Sequence, residues 1–530
     1  MTISIRWIVG LMTILSAFGC GDHMHPATPA DAVLRRGLGG EPASLDPSAA
    51  ADTFSVQVVQ DLYEGLLREG PNGEIIPAVA SSWTVDASGT TYKFELRPNA
   101  RWSNGQPVRA QNFVTAWQRV VDPKQGSPVS NDLRLIAGAA EIISGKFAPD
   151  SLGVAATNDN ELTVKLVQPA PYFPQLLAHS STFPIFSDVS ARSHGAKDWI
   201  SNGAYILSDW RPGTRLDLAK NEQYWDRAQV QIQRVQYQIT PDQYAQFASY
   251  RAGQLDLTDT IPANALSSLR VEHPNEVVIA PYSAVAYYGL NMTSAPFAKN
   301  LKLRTALSMA IDRRKLVSTL AVGQVEAFGF VPPGIWNYTS TITDWKGLPD
   351  SERLTEARRL YQEAGYSTER PLHLQLLLNS NPSIKQTATL IAAMWRQELG
   401  IETTLTDEEF RVFLQSRRDK KRWDVVRLAW NADYNDASNF LDIFRSDSAN
   451  NDTGYSNASF DAKLDTAAHT LDPDARRVLL ESAEKTMLAD APAIPLYFFV
   501  SKHLVKPYVI GLRPNPFDRI RSQSLTLASH

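Results

Sequence analysis

A single cysteine, Cys20, in 530 residues rules out an intrachain disulfide, so the fold must be held by its cores. A large excess of either charge is lacking as well. With 52 Lys and Arg against 56 Asp and Glu, the net charge of -4 offers no basic face for nucleic acid. The sequence contains neither G-x-S-x-G nor H-E-x-x-H, and its nine histidines are scattered. A serine or metal peptidase therefore has no evident base or ligand set, and the chain reads as a protein without catalysis or cofactor. GLGG at 37–40 lacks the third glycine of a dinucleotide loop, and no ATP-binding loop is seen. What is present is ordinary globular material: 43% apolar and 20% charged residues, at a length that calls for two or three lobes with sizeable cores.

The N-terminus reads as an export signal. Arg6 precedes the apolar stretch 7–15, followed by Ser16, Ala17, Phe18, Gly19 and Cys20. The apolar run of nine residues is too short for a permanent membrane helix. Cys20, after small residues, resembles a lipoprotein cleavage site at which the cysteine carries lipid, although Ala17 stands where that pattern usually has leucine. The other reading is a plain signal peptide with an incidental cysteine. Residues 1–20 are thus a lipoprotein signal and 21–31, with His23 and His25, a tether that lacks metal-ligand spacing. The basic run Arg417, Arg418, Lys420, Lys421 and Arg422, broken by Asp419, reads as a solvated connection.

Past residue 32 the pattern is globular. Residues 34–38 suit a short strand, and 54–67, with Val58, Val59, Leu62, Leu66 and Leu67, an amphipathic helix. Trp83 and the alternation Tyr92, Phe94, Leu96 suit a half-buried sheet. Farther on, helix 354–364 stops at Gly365, strand 372–378 follows, and helix 387–399 stops at Gly400. Strand 401–405, helix 408–415 and strand 424–430 complete the alternation. Such an order implies a parallel sheet with right-handed crossovers, whose ligands bind beyond the carboxyl ends of the strands.

One stretch concentrates the chemistry. Residues 423–444 read WDVVRLAWNADYNDASNFLDIF: a buried strand containing Arg427 that stops at Asn431, Asp433, Asn435 and Asp436. Alternation puts Arg427, Ala429 and Asn431 on one face, and Asp433 returns to it if the strand runs on. A fixed cation and a fixed anion within at most roughly 20 Å suit the two ends of a short zwitterionic peptide. The plainer alternative is that Arg427 pairs with a carboxylate of its own chain and DYND is a solvated turn.

GEPASLDP (40–47), DLYEGLL (61–67), PAVASSW (77–83) and YKFELRPNARWSNGQPVRAQNFVTAWQRVVDP (92–123) appear in that order. SNGAYILSDW (201–210), NEQYWD (221–226), YRAGQLDLT (250–258) and LRTALSMAIDRRKLV (303–317) follow. Over nearly the whole mature chain this resembles the oligopeptide-binding proteins of bacterial peptide ABC importers, within the extracellular solute-binding proteins of the peptide and nickel class. The resemblance implies an α/β, periplasmic-binding-protein-like fold of two lobes with an additional outer domain and the ligand in the interlobe cleft. The implied boundaries are 32–63, 188–286 and 501–530 for a discontinuous first lobe, 64–187 for the outer domain and 287–500 for the lobe with the ligand motif. A hinge strand is expected near 496–505.

The resemblance also implies roles. WNADYND matches the motif whose aspartate receives a peptide's α-ammonium, which falls to Asp433, and Arg427 matches an arginine that answers a carboxylate. Trp430, Phe410, Tyr287 and Phe499 fall at or beside pocket-lining positions. Main-chain groups of Ala51, Asp52 and Thr53 and of Ala429 to Asn431 are expected to hold peptide by strand addition. Ile384 stands where relatives carry a histidine, residues 320–327 offer no cation, and Ala284 and Asn431 replace a cysteine pair. The implied protein is a monomeric receptor, periplasmic or envelope-bound through lipid on Cys20, that passes short peptides to permease subunits with their ATPases. Murein peptides, dipeptides, nickel chelates and signalling peptides are alternative cargoes of the class.

Overall fold

The computed structural model describes residues 32–70, 73–186, 198–513 and 515–529, so the signal, the tether and Cys20 lie outside the described residues. Among the described residues no helix is long and apolar enough to cross a membrane. Three larger sheets carry the architecture. Val33–Leu38, Arg234–Ile239, Arg215–Lys220 and Tyr205–Arg211 form one in that order, its first pair parallel. Ala80–Val85, Thr91–Leu96, Glu161–Lys165 and Val154–Asn158 form an antiparallel second, with Tyr92, Phe94 and Leu96 alternating inward.

The third sheet has six strands, in the order Val325–Glu326, Ala493–Leu504, Val277–Leu290, Val425–Asn431, His373–Asn379 and Glu402–Glu408. Its last three strands are parallel, joined through helices Pro382–Leu399 and Phe410–Ser416, as the βα alternation requires. The other pairings are antiparallel, so the sheet is mixed rather than wholly parallel. Local chemistry fixes the crossover helix: Asn381 caps its first turn, Pro382 occupies the position that needs no N–H, and Gly400 ends it at φ 73°.

Two cores cover opposite faces of this sheet, one around Trp395 and Tyr288, the other around Phe330, Phe440 and Phe444. A separate continuous core runs through both smaller sheets and takes in Val505 to Leu527 from the C-terminal end. The strands Val277–Leu290 and Ala493–Leu504 connect the two bodies. They pair at 277–281 with 500–504 and again at 285–289 with 493–498, with register shifts between Pro281 and Val285 and between Ala286 and Tyr287. Regular pairing is thus broken where the chain passes from one body to the other, and both strands pass there.

The helix expected over 54–67 is shorter, Thr53–Leu62. Asn202 explains the stop, because its Oδ1 accepts from Glu64 N at 3.2 Å and its Nδ2 donates to Glu64 O at 2.8 Å. A Cβ on Gly203 would stand 2.5 Å from the Leu62 carbonyl carbon, so only glycine permits this approach. The recurrent motifs are stitched together in the same way. Glu64 accepts from Tyr224 OH and Trp225 Nε1, both at 2.6 Å; Asp61 accepts from Tyr237 OH at 2.8 Å and Ser522 N at 2.9 Å. Buried Arg313 donates to the Ala327, Pro495 and Ser308 carbonyls. These charges are spent on holding distant segments together.

Candidate functional site

The strand Val425–Asn431 lies between Val277–Leu290 and His373–Asn379. Val426 and Leu428 are buried in the core around Phe330, with Trp430 packed against it. On the opposite face burial falls along the strand: Val425 is buried, Arg427 half-buried, and Ala429 and Asn431 exposed. That face therefore opens to solvent toward its carboxyl end, where the cleft side of the sheet is reached. Ala284 lies directly opposite Asn431, so the two positions that replace the cysteine pair are cross-strand neighbours.

Arg427 lies opposite Tyr288 and, among the described residues, makes no ion pair. The self-pairing alternative is set aside on that ground. Its charge opposes the strong upward push that burial gives the Tyr288 hydroxyl, whose oxygen has no hydrogen-bond partner among the described residues.

The strand ends at Asn431 and the chain turns, with Ala432 N donating to Ser283 O at 2.9 Å. Simple alternation thus does not carry Asp433 onto the face of Arg427; the turn presents it at the strand's end. Asp433 is exposed by area, yet the surrounding walls desolvate its carboxylate and raise its pKa, against a weak hydrogen bond from Asn439 Nδ2 at 3.4 Å. It has no cation within ion-pair distance among the described residues. Asn439 is a residue the sequence did not point to. Its Oδ1 accepts from Trp430 Nε1 at 2.8 Å and from Asp433 N at 3.4 Å, so one buried amide ties the indole to the aspartate loop. Asp132, in the outer sheet's body, has its pKa raised by its own desolvation, against a hydrogen bond from Ser181 and with the charge of Asp433 adding to the rise.

The rest of DYND is not a solvated turn. Tyr434 stacks on Tyr172 at 4.5 Å and 5°. Asn435 accepts from Trp336 N at 3.0 Å and donates to Gly73 O at 3.2 Å. Asp436 receives Arg476 through both guanidinium Nη atoms, at 2.5 and 2.9 Å. Three of the four residues thus seat the loop, and Asp433 alone is left facing out.

The remaining candidates divide. Tyr287 is 4% exposed, edge-on to Phe330 at 4.8 Å and tilted against Phe444 at 6.2 Å, so it packs as a core residue. It occupies the face of its strand turned away from Arg427. Phe499 is half-buried with its ring edge-on to Tyr497 at 5.4 Å, and Phe410 is 56% exposed at the start of its helix. Asp52 caps the helix Thr53–Leu62, accepting from Ser55 N at 2.8 Å and Ser55 Oγ at 2.5 Å, while Ala51 and Thr53 are exposed. What this stretch has left for a ligand is main chain. No hydrogen bond joins 51–53 to 429–431 among the described residues. Nor do the described residues contain a group of three His, Cys, Asp or Glu fit for a metal.

A family profile described as "Bacterial extracellular solute-binding proteins, family 5 Middle" matches residues 74–452. The chain belongs to this family. It is 34% identical over 508 residues to the periplasmic oligopeptide-binding protein OppA of Escherichia coli, covering 94% of this chain and 93% of OppA. It is 33% identical over 537 residues to the probable deoxycholate-binding periplasmic protein YgiS of the same organism, covering each chain fully. This family-5 protein superposes on the unliganded open form of the murein tripeptide binding protein MppA with a TM-score of 0.91, at 33% identity and covering 95% of this chain and 99% of MppA. A second structure of MppA from E. coli, again at 33% identity over 95% of this chain and 100% of that one, gives only 0.72. The better superposition is thus on the structure described as the unliganded open form.

Proposed function

We propose that this family-5 protein is the substrate-binding component of a peptide ABC importer, capturing short peptides in the interlobe cleft and delivering them to membrane permease subunits. One observation carries the reading: Asp433 and Arg427, opposite charges one strand-end apart, have no ion-pair partner among the described residues. An ammonium at Asp433 and a carboxylate at Arg427 would supply both missing partners, and charge-assisted bonds in a desolvated cleft are strong. Exposed Phe410, half-buried Phe499 and Trp430 offer apolar and aromatic surface for side chains, with water filling the remainder. Main-chain groups at Ala51 to Thr53 and Ala429 to Asn431 hold the peptide backbone once the lobes approach.

Closure is a hinge motion on the two long strands, with the lobe 287–500 swinging against 32–63, 188–286 and 501–530, and the outer domain 64–187 beside them. Ligand that bridges the lobes favours the closed arrangement through its differential contacts. The protein is a non-enzymatic monomer of the periplasm, anchored to a membrane by lipid on Cys20. The experiment is native mass spectrometry of protein purified from its own host. Co-purified ligands with masses of short peptides support the reading, and a ligand without a free amine defeats it.

A further inference from the structure

His503 lies in the strand Ala493–Leu504 just beyond its crossing between the two bodies, opposite Val278 and 6% exposed. Both of its ring nitrogens are engaged, and both partners are acceptors. Nδ1 lies 2.8 Å from the Thr258 carbonyl oxygen and Nε2 lies 2.7 Å from Asp518 Oδ1. A neutral imidazole has one N–H and would set a bare lone pair against one of these oxygens, whereas an imidazolium donates to both. The buried ring is therefore a cation. The charges around it agree. Asp518, from the C-terminal segment, touches it; Asp259, next to Thr258, adds a second negative charge, which Arg36 offsets in part. Arg519, beside Asp518, is engaged by Glu69 at 2.9 Å, and Lys502 alternates to the other face of the strand.

The loop that carries Asp518 reaches the cleft by way of Ser283. Residues 515–519 are knotted around Asn515, whose Oδ1 accepts from Phe517 N at 3.0 Å and Arg519 N at 3.1 Å and whose Nδ2 donates to Arg519 O at 2.7 Å. Asp518 itself stands at φ 57°, a left-handed conformation that its side-chain bond to His503 helps to hold. In the same knot Pro516 O accepts from Ser283 N at 2.6 Å, inside the register break between Pro281 and Val285. Ser283 O in turn accepts from Ala432 N at 2.9 Å, and Ala432 begins the turn that presents Asp433. We infer that His503 is a positioning residue of the cleft, a buried cation that fixes the 515–519 loop and, through it, the bulge at Ser283 and the stance of Asp433. The inference rests on Asp433 as the receiver of the peptide's ammonium. Burial presses the His503 pKa down, but the Asp518 charge and the hydrogen bonds to both acceptors more than offset it and hold it above the ordinary 6.5. The bracing is thus present below 6.5 and is lost as pH rises through the raised value.

The test is calorimetry of the intact protein with a short peptide, from about pH 5.5 to about pH 9, in wild type, His503→Gln and Asp518→Asn. The peptide's own ammonium is lost near about pH 8 and weakens every variant alike, so the ratio of wild-type to variant affinity is read. His503→Gln, which keeps a donor but no charge, should bind about fivefold to tenfold more weakly at about pH 6, and the difference should close as pH rises. Asp518→Asn should move the wild-type loss to lower pH. Nitrogen NMR of the histidine rings should show one ring, absent from His503→Gln, with both nitrogens protonated at about pH 7. Should His503→Gln misfold, the pH profile of Asp518→Asn, at a partly exposed position, carries the test. A ratio that stays flat across pH would mean that His503 only fills space, and it overturns the inference, as does a ring that is neutral at about pH 6. Equal affinities for the peptide and its N-acetylated twin overturn it from the other side, through Asp433, and leave the pH dependence of the ratio standing.

Discussion

Two sets of charges in this molecule are treated in opposite ways. Glu484, fully buried, accepts from Phe330 N at 2.7 Å, Val331 N at 2.9 Å, Tyr338 OH at 2.6 Å and Thr341 N at 3.0 Å. Asp61 and Glu64 are equally well supplied from segments hundreds of residues away. Asp433, by contrast, receives one weak side-chain hydrogen bond and Arg427 has no ion-pair partner among the described residues. Burial raises the pKa of both Glu484 and Asp433, but four donors oppose it at Glu484 and a single long one at Asp433. A charge whose partners are all in the chain fixes architecture, and one left without them is set for a partner from outside.

Exchanging these roles tests the contrast. The largest effect is expected from Glu484→Ala, which strips the loop 330–341 of its acceptor and leaves three backbone N–H groups unmet. We expect a loss of about 3–5 kcal/mol in urea unfolding, against almost none for Asp433→Ala. Asp433→Ala should instead lower peptide affinity at least a hundredfold in calorimetry, as expected when a desolvated charge pair loses one partner. Wild-type affinity should also fall as pH drops through the raised pKa of Asp433, while an Asp433→Asn variant shows no such pH dependence.

A smaller, sharper effect belongs to Arg427→Met. It should weaken a peptide with a free carboxylate about tenfold and leave its C-terminal amide unaffected. Smallest is Asp442, whose carboxyl is pushed up to about 7 by burial, with Arg445 opposing. Its folded pKa lies above the ordinary 3.8, so the stability it contributes is present below that value and lost as pH rises through about 7. By area Asp442 is only half-buried, which discounts the effect to about 1 kcal/mol. Asp442→Asn should raise the unfolding temperature by about 1 °C at pH 8 and leave it unchanged at pH 4.

The lobe of residues 287–500 was the more legible part of the sequence because its signals are local. The stop at Gly400 ends a helix wherever it packs, although its start at Pro382, capped by Asn381, lies five residues before the expected 387, and a polar cluster marks the strand's end at Asn431. Asp433 followed from that end and from the motif around it. Tyr287 did not, because alternation says that neighbours face opposite ways and leaves open which face is core; the rings of Phe330 and Phe444 decide it. The stop at Leu62 and the role of Asn439 were illegible for the same reason. Each depends on a hydrogen bond to a residue that only the fold brings near, Asn202 in one case and Trp430 in the other. The antiparallel half of the mixed sheet was hidden too, since its strands at 277–290 and 493–504 are far apart in sequence and cross between bodies.

The most direct measurement compares two peptides that differ by one acetyl group. Calorimetry of the wild-type protein with a short peptide and with its N-acetylated twin isolates the ammonium that Asp433 is held ready to receive. At least a hundredfold weaker binding of the acetylated peptide is predicted, and equal affinities would contradict the account.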